Sequence, residues 1–314
     1  MMTRNEAAQY LLERDRFAIV THRRPDGDTL GSAAVLCRGL RQLGKTAHIL
    51  ENPEITEKYA PLHHGLTKTW AEEGDTLVCV DVASPGMLGA HFAPLQEKIQ
   101  LRIDHHGSAT PFTPFELVEP KTAACGEIVY GVLRHMGAVL DAPMADALYT
   151  AVSTDTGCFR YANTTADTLR VAADCKEAGA DTFGLTQLLF ETNSLARLKV
   201  QSYMLENAVF LQDGKIAVCP LPKAVEIACG AGEDDLDNIS GFPRTIEGVK
   251  LAVTIREESA NRVKMSVRAV PGQDASALCA KFGGGGHKGA AGASMNATLE
   301  EAVNAVIAQL PVIG

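Results

Sequence analysis

The chain has 314 residues, of which 46% are hydrophobic and 21% charged, and a formal net charge of −9. That is an ordinary globular composition, long enough for two cores. The acidic balance, with no Lys/Arg block, argues against a surface that tracks long nucleic acid, so any nucleic-acid substrate is expected to be short and held locally.

No apolar run approaches the ~20 residues that span a bilayer, so no membrane partner is expected. The opening "MMTRNEAAQYLLERDRF" is too charged for a secretory signal and reads as an amphipathic helix. "FAIVT" (17–21) is a short apolar run ending at His22, and helical spacing follows through Leu30, Ala33, Ala34, Cys37 and Leu40 to Gly44. "AHIL" (47–50) and "TLVCVDV" (76–82) come next, the latter a continuous apolar run of the buried parallel type. "IQLRI" (99–103) precedes a helix over "ACGEIVYGVLRHM" closed by Gly137, and "APMADALYTAV" predicts another. "NTTADTLRVAADCKEAG" offers Thr164 as N-cap and Gly179 as C-cap. This alternation predicts an α/β domain over 1–190 with a doubly wound, mainly parallel sheet.

A helical connector is expected over 191–210, and "KIAVCPL", "VKLAVTIREE" and "NRVKMSVRAV" then read as strands of a smaller α+β domain over 211–314. In the last run, period two sets Arg262, Lys264, Ser266 and Arg268 on one face and Val263, Met265 and Val267 on the other. "DASALCAKF" reads as a helix leading into "GGGGHKGAAGA", and Thr298 with Glu301 caps a final helix. The eight cysteines contain no C-x-x-C pair and several lie in apolar runs, which points to buried reduced thiols and a cytoplasmic location.

The chemistry concentrates in the first half. In open α/β sheets, ligands bind beyond the carboxyl ends of the strands. His22 ends the first strand, with Asp26 and Asp28 of "HRRPDGD" in the loop after it. Asp81 ends the "LVCVDV" run, while Asp104, His105 and His106 follow "QLRI", and Asp155 in "STDTG" is expected just past a helix. Each motif alone has a bland reading as a turn, a cap or a solvated loop. Together they gather carboxylates that would repel one another unless cations sat among them. There are more donors than one ion needs, and a mixed His/carboxylate set suits manganese, with magnesium or cobalt as substitutes. Two divalent ions ~3.5–4 Å apart form the usual clamp for phosphoryl chemistry.

"HRRPDGD", the Asp of "VDVA", "DHHG" and "TDTG" resemble the four motifs of the DHH phosphoesterases, and "FGGGGHKGAAGA" resembles the Gly-rich signature of the DHH-associated C-terminal domain. The intervening sequence resembles the short bifunctional members, which degrade nanoRNA and dephosphorylate 3′-phosphoadenosine 5′-phosphate (pAp). The resemblance implies that His22 and Asp26 hold a first metal and Asp28 a second, that Asp81 bridges both, and that His105 and Asp155 complete the second site. It places His106 beside the substrate phosphate as hydrogen-bond donor or general acid, with Asp104 orienting a histidine. In the C-terminal domain it implies that His287 and Arg268 hold a terminal phosphate, helped by the backbone of Gly284, Gly285 and Gly286. Ser240 and Arg244 are further candidates.

The activity expected is metal-dependent cleavage of short single-stranded RNA to mononucleotides and of pAp to AMP, the substrate lying across a cleft between domains. A phosphodiesterase for cyclic dinucleotides or pApA is the nearest alternative, and a non-catalytic nucleotide- or RNA-binding module the alternative from another class. A homodimer is compatible with the sequence.

Overall fold

A computed structural model describes residues 1–107 and 110–313. Contacts divide the chain into two units, Met1–Thr192 and Asn193–Gly314.

The first unit opens with α1 (Arg4–Leu12), whose N-terminus is closed by a reciprocal Thr3–Glu6 capping box. There follow β1 (Arg16–Val20), α2 (Gly27–Gln42), β2 (Thr46–Leu50), β3 (Thr67–Lys68), β4 (Thr76–Val80), α3 (Gly89–Phe92), β5 (Ile99–Asp104) and β6 (Phe115–Val118). The helices α4 (Cys125–His135), α5 (Ala142–Asp155), α6 (Ala166–Glu177) and α7 (Thr182–Thr186) complete it, the last running into a π-helical turn, Gln187–Glu191. The strands lie in the order β3-β2-β1-β4-β5-β6, and every pairing is parallel. All five residues of β4 are buried, as an inner parallel strand flanked on both sides requires. Chain order reverses between β1 and β4, and at such a switch point the loops leaving the two strands part and open a crevice.

The two faces of this sheet differ. Leu36, Leu40, Val129, Leu133 and Leu148 of α2, α4 and α5 pack over one face with Ile19, Val78 and Leu101. The other face is covered by shorter pieces, Leu88 and Phe92 against Val20, Leu50 and Cys79. The helix α2 is buried on nearly every side, lying between the sheet and the α4/α5 pair.

The second unit contains α8 (Leu195–Glu206), β7 (Val209–Leu211), β8 (Ile216–Leu221), α9 (Lys223–Cys229), α10 (Glu233–Leu236), β9 (Leu251–Ser259), β10 (Arg262–Ala269), α11 (Ala275–Ala280), β11 (Gly285–Gly286), β12 (Ala290–Met295) and α12 (Leu299–Ala308). Its sheet runs β11-β12-β10-β9-β8-β7 and is mixed, with β8 and β9 parallel and the remaining neighbours antiparallel. The alternation expected in β10 is observed: Val263, Met265 and Val267 are buried against α11 and α12, while the charged positions are at least partly exposed.

Two local expectations are corrected. The N-cap of α6 is Thr165, not Thr164, because Thr165 Oγ1 accepts from the Thr168 amide and the Thr168 side chain closes the box from the other side. The helical connector expected over 191–210 is broken near its start, where Thr192 turns extended after the π-helical turn and Ser194 caps a new helix. All eight cysteines are free thiols, six of them buried. Among the described residues no helix is long and apolar enough to cross a membrane.

Candidate metal centre

Four segments converge where β1 and β4 part. Val20 ends β1, and the loop after it carries His22 to Asp26, which is the N-cap of α2: its carboxylate accepts from the amides of Asp28 (3.1 Å) and Thr29 (3.2 Å). The "PDGD" turn is therefore also a helix start, and it sets Asp28 in the buried first turn of α2. Asn52, just past β2, steadies this loop by donating to the His22 carbonyl at 2.8 Å and to Thr21 Oγ1 at 3.0 Å. Asp81 follows β4 with a left-handed backbone (φ 60), a conformation costly outside glycine. Asp104 ends β5, His105 and His106 come next, and Asp155 is the last residue of α5.

The two oxygens of Asp81 face different groups. Oδ2 lies 3.5 Å from His22 Nε2, which is itself 3.6 Å from Asp26 Oδ1. Oδ1 lies 3.5 Å from His105 Nε2, which is 3.5 Å from Asp155 Oδ2 and 3.7 Å from Asp28 Oδ2. Two donor groups result, His22–Asp26–Asp81 and Asp28–His105–Asp155, with Asp81 between them and a third grouping of Asp81, His105 and His106 overlapping the second. The separations exceed good hydrogen bonds, and ions held ~2.1 Å from each donor would fill them. Asp81 Oδ1 is buried with no hydrogen-bond partner, an arrangement that costs free energy unless a cation meets it.

Each histidine is held by its second nitrogen. His22 Nδ1 donates to the Arg23 carbonyl at 2.8 Å and His105 Nδ1 to the Thr122 carbonyl at 3.1 Å, so both turn Nε2 toward the carboxylates. Asp28 is fixed by Ser32 Oγ (3.0 Å) and by the amides of Cys125 (2.6 Å) and Gly126 (3.0 Å), the first residues of α4. No local side chain caps α4, and Asp28 supplies the missing acceptor from another helix. Asp104 is fully buried and stands outside the three groups; its Oδ1 accepts from His106 Nδ1 at 2.8 Å and from the His106 amide at 3.3 Å.

The electrostatics reflect crowded carboxylates. Burial, reinforced by the negative charge of Asp28, pushes the Asp81 carboxyl up to about 7. Asp155 is also raised well above the usual range, by burial and then by Asp28 and Asp26. Burial works against the imidazolium of His22, but the Asp26 and Asp81 carboxylates outweigh it and lift its pKa well above the ordinary value. Burial likewise opposes His106, yet its bond to Asp104 and the nearby Asp81 bring it to about 9. In the absence of metal, protons thus stand in for the positive charge the cluster requires.

In the second unit, Arg268 on β10 pairs in register with Ala290 on β12, and the His287 amide donates to the Ala290 carbonyl at 2.8 Å, so these two candidates sit on adjoining segments. A side chain at Gly284 would meet the Gly292 carbonyl at 2.2 Å, and one at Gly286 the Ala290 carbonyl at 2.7 Å, whereas Gly285 faces open space. Two of the glycines are therefore required for close approach of β11 to β12. Ser240 is buried and Arg244 belongs to the 3₁₀ turn Ile239–Thr245, which packs on β9 and β10.

Residues 16–152 match the DHH family N-terminal domain and residues 216–310 match the DHHA1 domain. The bifunctional oligoribonuclease and PAP phosphatase NrnA of Thermus thermophilus is 34% identical over 280 residues, spanning 88% of this chain and 83% of that protein. The chain belongs to the DHH family. An exopolyphosphatase-related protein of Bacteroides fragilis shares the DHH fold with a TM-score of 0.88 at 23% identity, over 98% of this chain and 94% of that one. RecJ of Thermus thermophilus in complex with Mn2+ superposes with a TM-score of 0.56 at 18% identity, over 98% of this chain and 53% of that one. Asp155 lies three residues beyond the DHH match, yet α5 delivers it to the same cluster. Ser32, Asn52, Thr122 and the amides of Cys125 and Gly126 support the DHH centre without any motif of their own.

Proposed function

We propose that this DHH protein is a two-metal phosphoesterase that degrades short oligoribonucleotides to mononucleotides and removes the 3′-phosphate of pAp to leave AMP. The observation that carries this reading is the divided environment of Asp81, one carboxylate whose two oxygens face separate His/Asp groups. The kinship with a bifunctional oligoribonuclease and PAP phosphatase over most of both chains supports the substrate class.

His22, Asp26 and Asp81 would hold one ion, and Asp28, His105 and Asp155, with Asp81 between the groups, would hold the second. Manganese suits this mixed nitrogen and oxygen donor set, with magnesium or cobalt as substitutes. Two such ions, when bound, supply the Lewis acidity and nucleophile activation that phosphoester hydrolysis needs. Asp28 is held by the Cys125 and Gly126 amides before any ion arrives, so little reorganisation of that carboxylate accompanies binding. His106, fixed through Nδ1 by Asp104, presents its other nitrogen as donor to a phosphate oxygen or to the leaving group. In the second unit Arg268, His287 and the backbone of Gly285 and Gly286 would hold a terminal phosphate, the Gly284 amide being already given to the Cys279 carbonyl at 3.0 Å, and Ser240 and Arg244 are further candidates. The net charge of −9 favours substrates small enough to be anchored at these few points.

The test offers the purified protein, with and without manganese, pAp, a 5′-phosphorylated RNA 5-mer, pApA, cyclic di-AMP and pyrophosphate in parallel. AMP from pAp and mononucleotides from the 5-mer are expected, both lost on chelation and restored by manganese. Consumption of pyrophosphate alone, or metal-independent turnover, would overturn the reading.

A further inference from the structure

Among the described residues Arg102 is the bulkiest fully buried side chain, 1% exposed in the middle of β5. Burying a guanidinium is strongly unfavourable unless its charge and donors are met, and a hydrophobic residue of similar volume usually serves stability as well or better. Packing alone therefore does not account for it.

Its partners connect the segments of the metal centre. Nη1 donates to the carbonyls of Ala83 (3.0 Å) and Thr110 (3.1 Å) and more distantly to that of Val82 (3.4 Å). Nη2 donates to Glu116 Oε2 at 3.0 Å across the β5–β6 register. The other oxygen of Glu116 accepts from the amides of Phe112 (2.8 Å) and Thr113 (3.2 Å), and the Phe112 ring centroid lies 5.0 Å from the guanidinium carbon. The chain that leaves Asp81 and the chain that leaves His106 are thus both tied to one planar group. Nη1 also stands 4.0 Å from Asp104 Oδ2, the oxygen of that carboxylate without a hydrogen-bond donor, while Oδ1 holds His106.

We infer that Arg102 is a positioning residue for the phosphoester reaction, acting through Asp104 on the ring of His106 and through backbone carbonyls on the spacing between Asp81 and the Asp104–His106 segment. This rests on the two-metal phosphoesterase reading and adds to it a residue that makes no contact with the donor groups' metal-facing atoms. Lysine at 102 would restore charge but, as a point donor, could not span three carbonyls and a carboxylate in one plane.

The experiment compares wild type, R102M, R102K, D104N and R102M/D104N. It measures kcat and KM on pAp, manganese affinity and stoichiometry by calorimetry, melting temperature, and the imidazole nitrogen signals of His106 in the magnesium-loaded protein. R102M is expected to lower kcat about 100-fold, with KM and manganese affinity within about threefold and two ions still bound. R102K should recover part of the loss and stand about tenfold below wild type. The double variant should lose less than the product of the two single losses, because both share the route through Asp104. In wild type both His106 nitrogens should carry protons, with the Nδ1 signal shifted by its bond to Asp104, and in R102M that shift should weaken. A lowered melting temperature with unchanged kcat and unchanged His106 signals would reduce Arg102 to a packing residue and overturn the inference, as would losses in R102M and D104N that multiply. If R102M does not fold, R102K decides: wild-type kcat and His106 signals there also overturn it. Absence of any phosphoesterase turnover in wild type would instead sink the functional reading, leaving the calorimetric and nitrogen measurements to judge Arg102.

Discussion

Asp81 combines a left-handed backbone, a buried carboxylate and an oxygen with no donor. Each is unfavourable in the metal-free protein, the backbone alone by ~1–3 kcal/mol. Its carboxyl is raised from 3.8 to about 7, so the folded state holds this proton more tightly than the unfolded chain does. For a raised pKa the stabilising contribution is complete below the unfolded value and is lost as pH climbs through the folded one. Metal-free protein should therefore lose stability between about pH 4 and about pH 7, and Asp155, raised in the same direction, adds to that loss. A divalent ion binds the ionised carboxylates and reverses the trend, releasing protons as it does so. The shift in melting temperature produced by manganese should widen from pH 5 to pH 8. Asp81→Asn removes this ionisation, so it should flatten the profile, raise the metal-free melting temperature and lower kcat by at least ~10³-fold. A manganese shift that stays constant with pH in wild type would contradict the assignment.

At the level of elements, the contact between α2 and α5 determines whether Asp28 and Asp155 can meet at His105. Gly31 makes that contact: a β-carbon there would lie 2.4 Å from the Ala147 carbonyl oxygen and 2.9 Å from the Ala151 β-carbon. A backbone oxygen cannot swing aside as a flexible side chain would, so Gly31→Ala must push the helices apart. A loss of ~1–3 kcal/mol in stability is expected, together with weaker manganese binding at the Asp28–His105–Asp155 group and little change at His22–Asp26–Asp81. Calorimetry that found both affinities unchanged would refute it. What was legible in advance follows the same division between local and distant causes. The residues at strand ends were readable because each leaves a strand whose apolar run is itself a local signal, as in "LVCVDV". Asp28 as the cap of α4 was not, because donor and acceptor lie 97 residues apart. Nor were β3, two residues long, or β6, four, which carry too little periodicity to register. Thr164 and Thr165 both suit an N-cap by type, and only the geometry of Thr168 selects the second.

Across the whole molecule, the apolar clusters respect the division of the chain. Two of them lie wholly within residues 1–192 and three within residues 193–314. Among the described residues, every candidate metal-donor group belongs to the first set, and Arg268, His287 and the Gly284–Gly286 run belong to the second. A unit with its own core and its own donors should fold by itself. Residues 1–192 expressed alone are accordingly expected to melt cooperatively and to bind two manganese ions with affinities within about tenfold of the full chain. Chemistry and anchoring should then separate. A small activated phosphodiester needs only the metal donors, so its kcat/KM should change by no more than a few-fold. If the second unit anchors a terminal phosphate of an RNA 5-mer as proposed, the kcat/KM for that substrate should fall by about 100-fold or more once the anchor is gone. Equal losses on both substrates would mean that the second unit supports the metal centre itself. Equal retention would mean that the 5-mer is recognised entirely within residues 1–192, and that Arg268 and His287 hold no part of it.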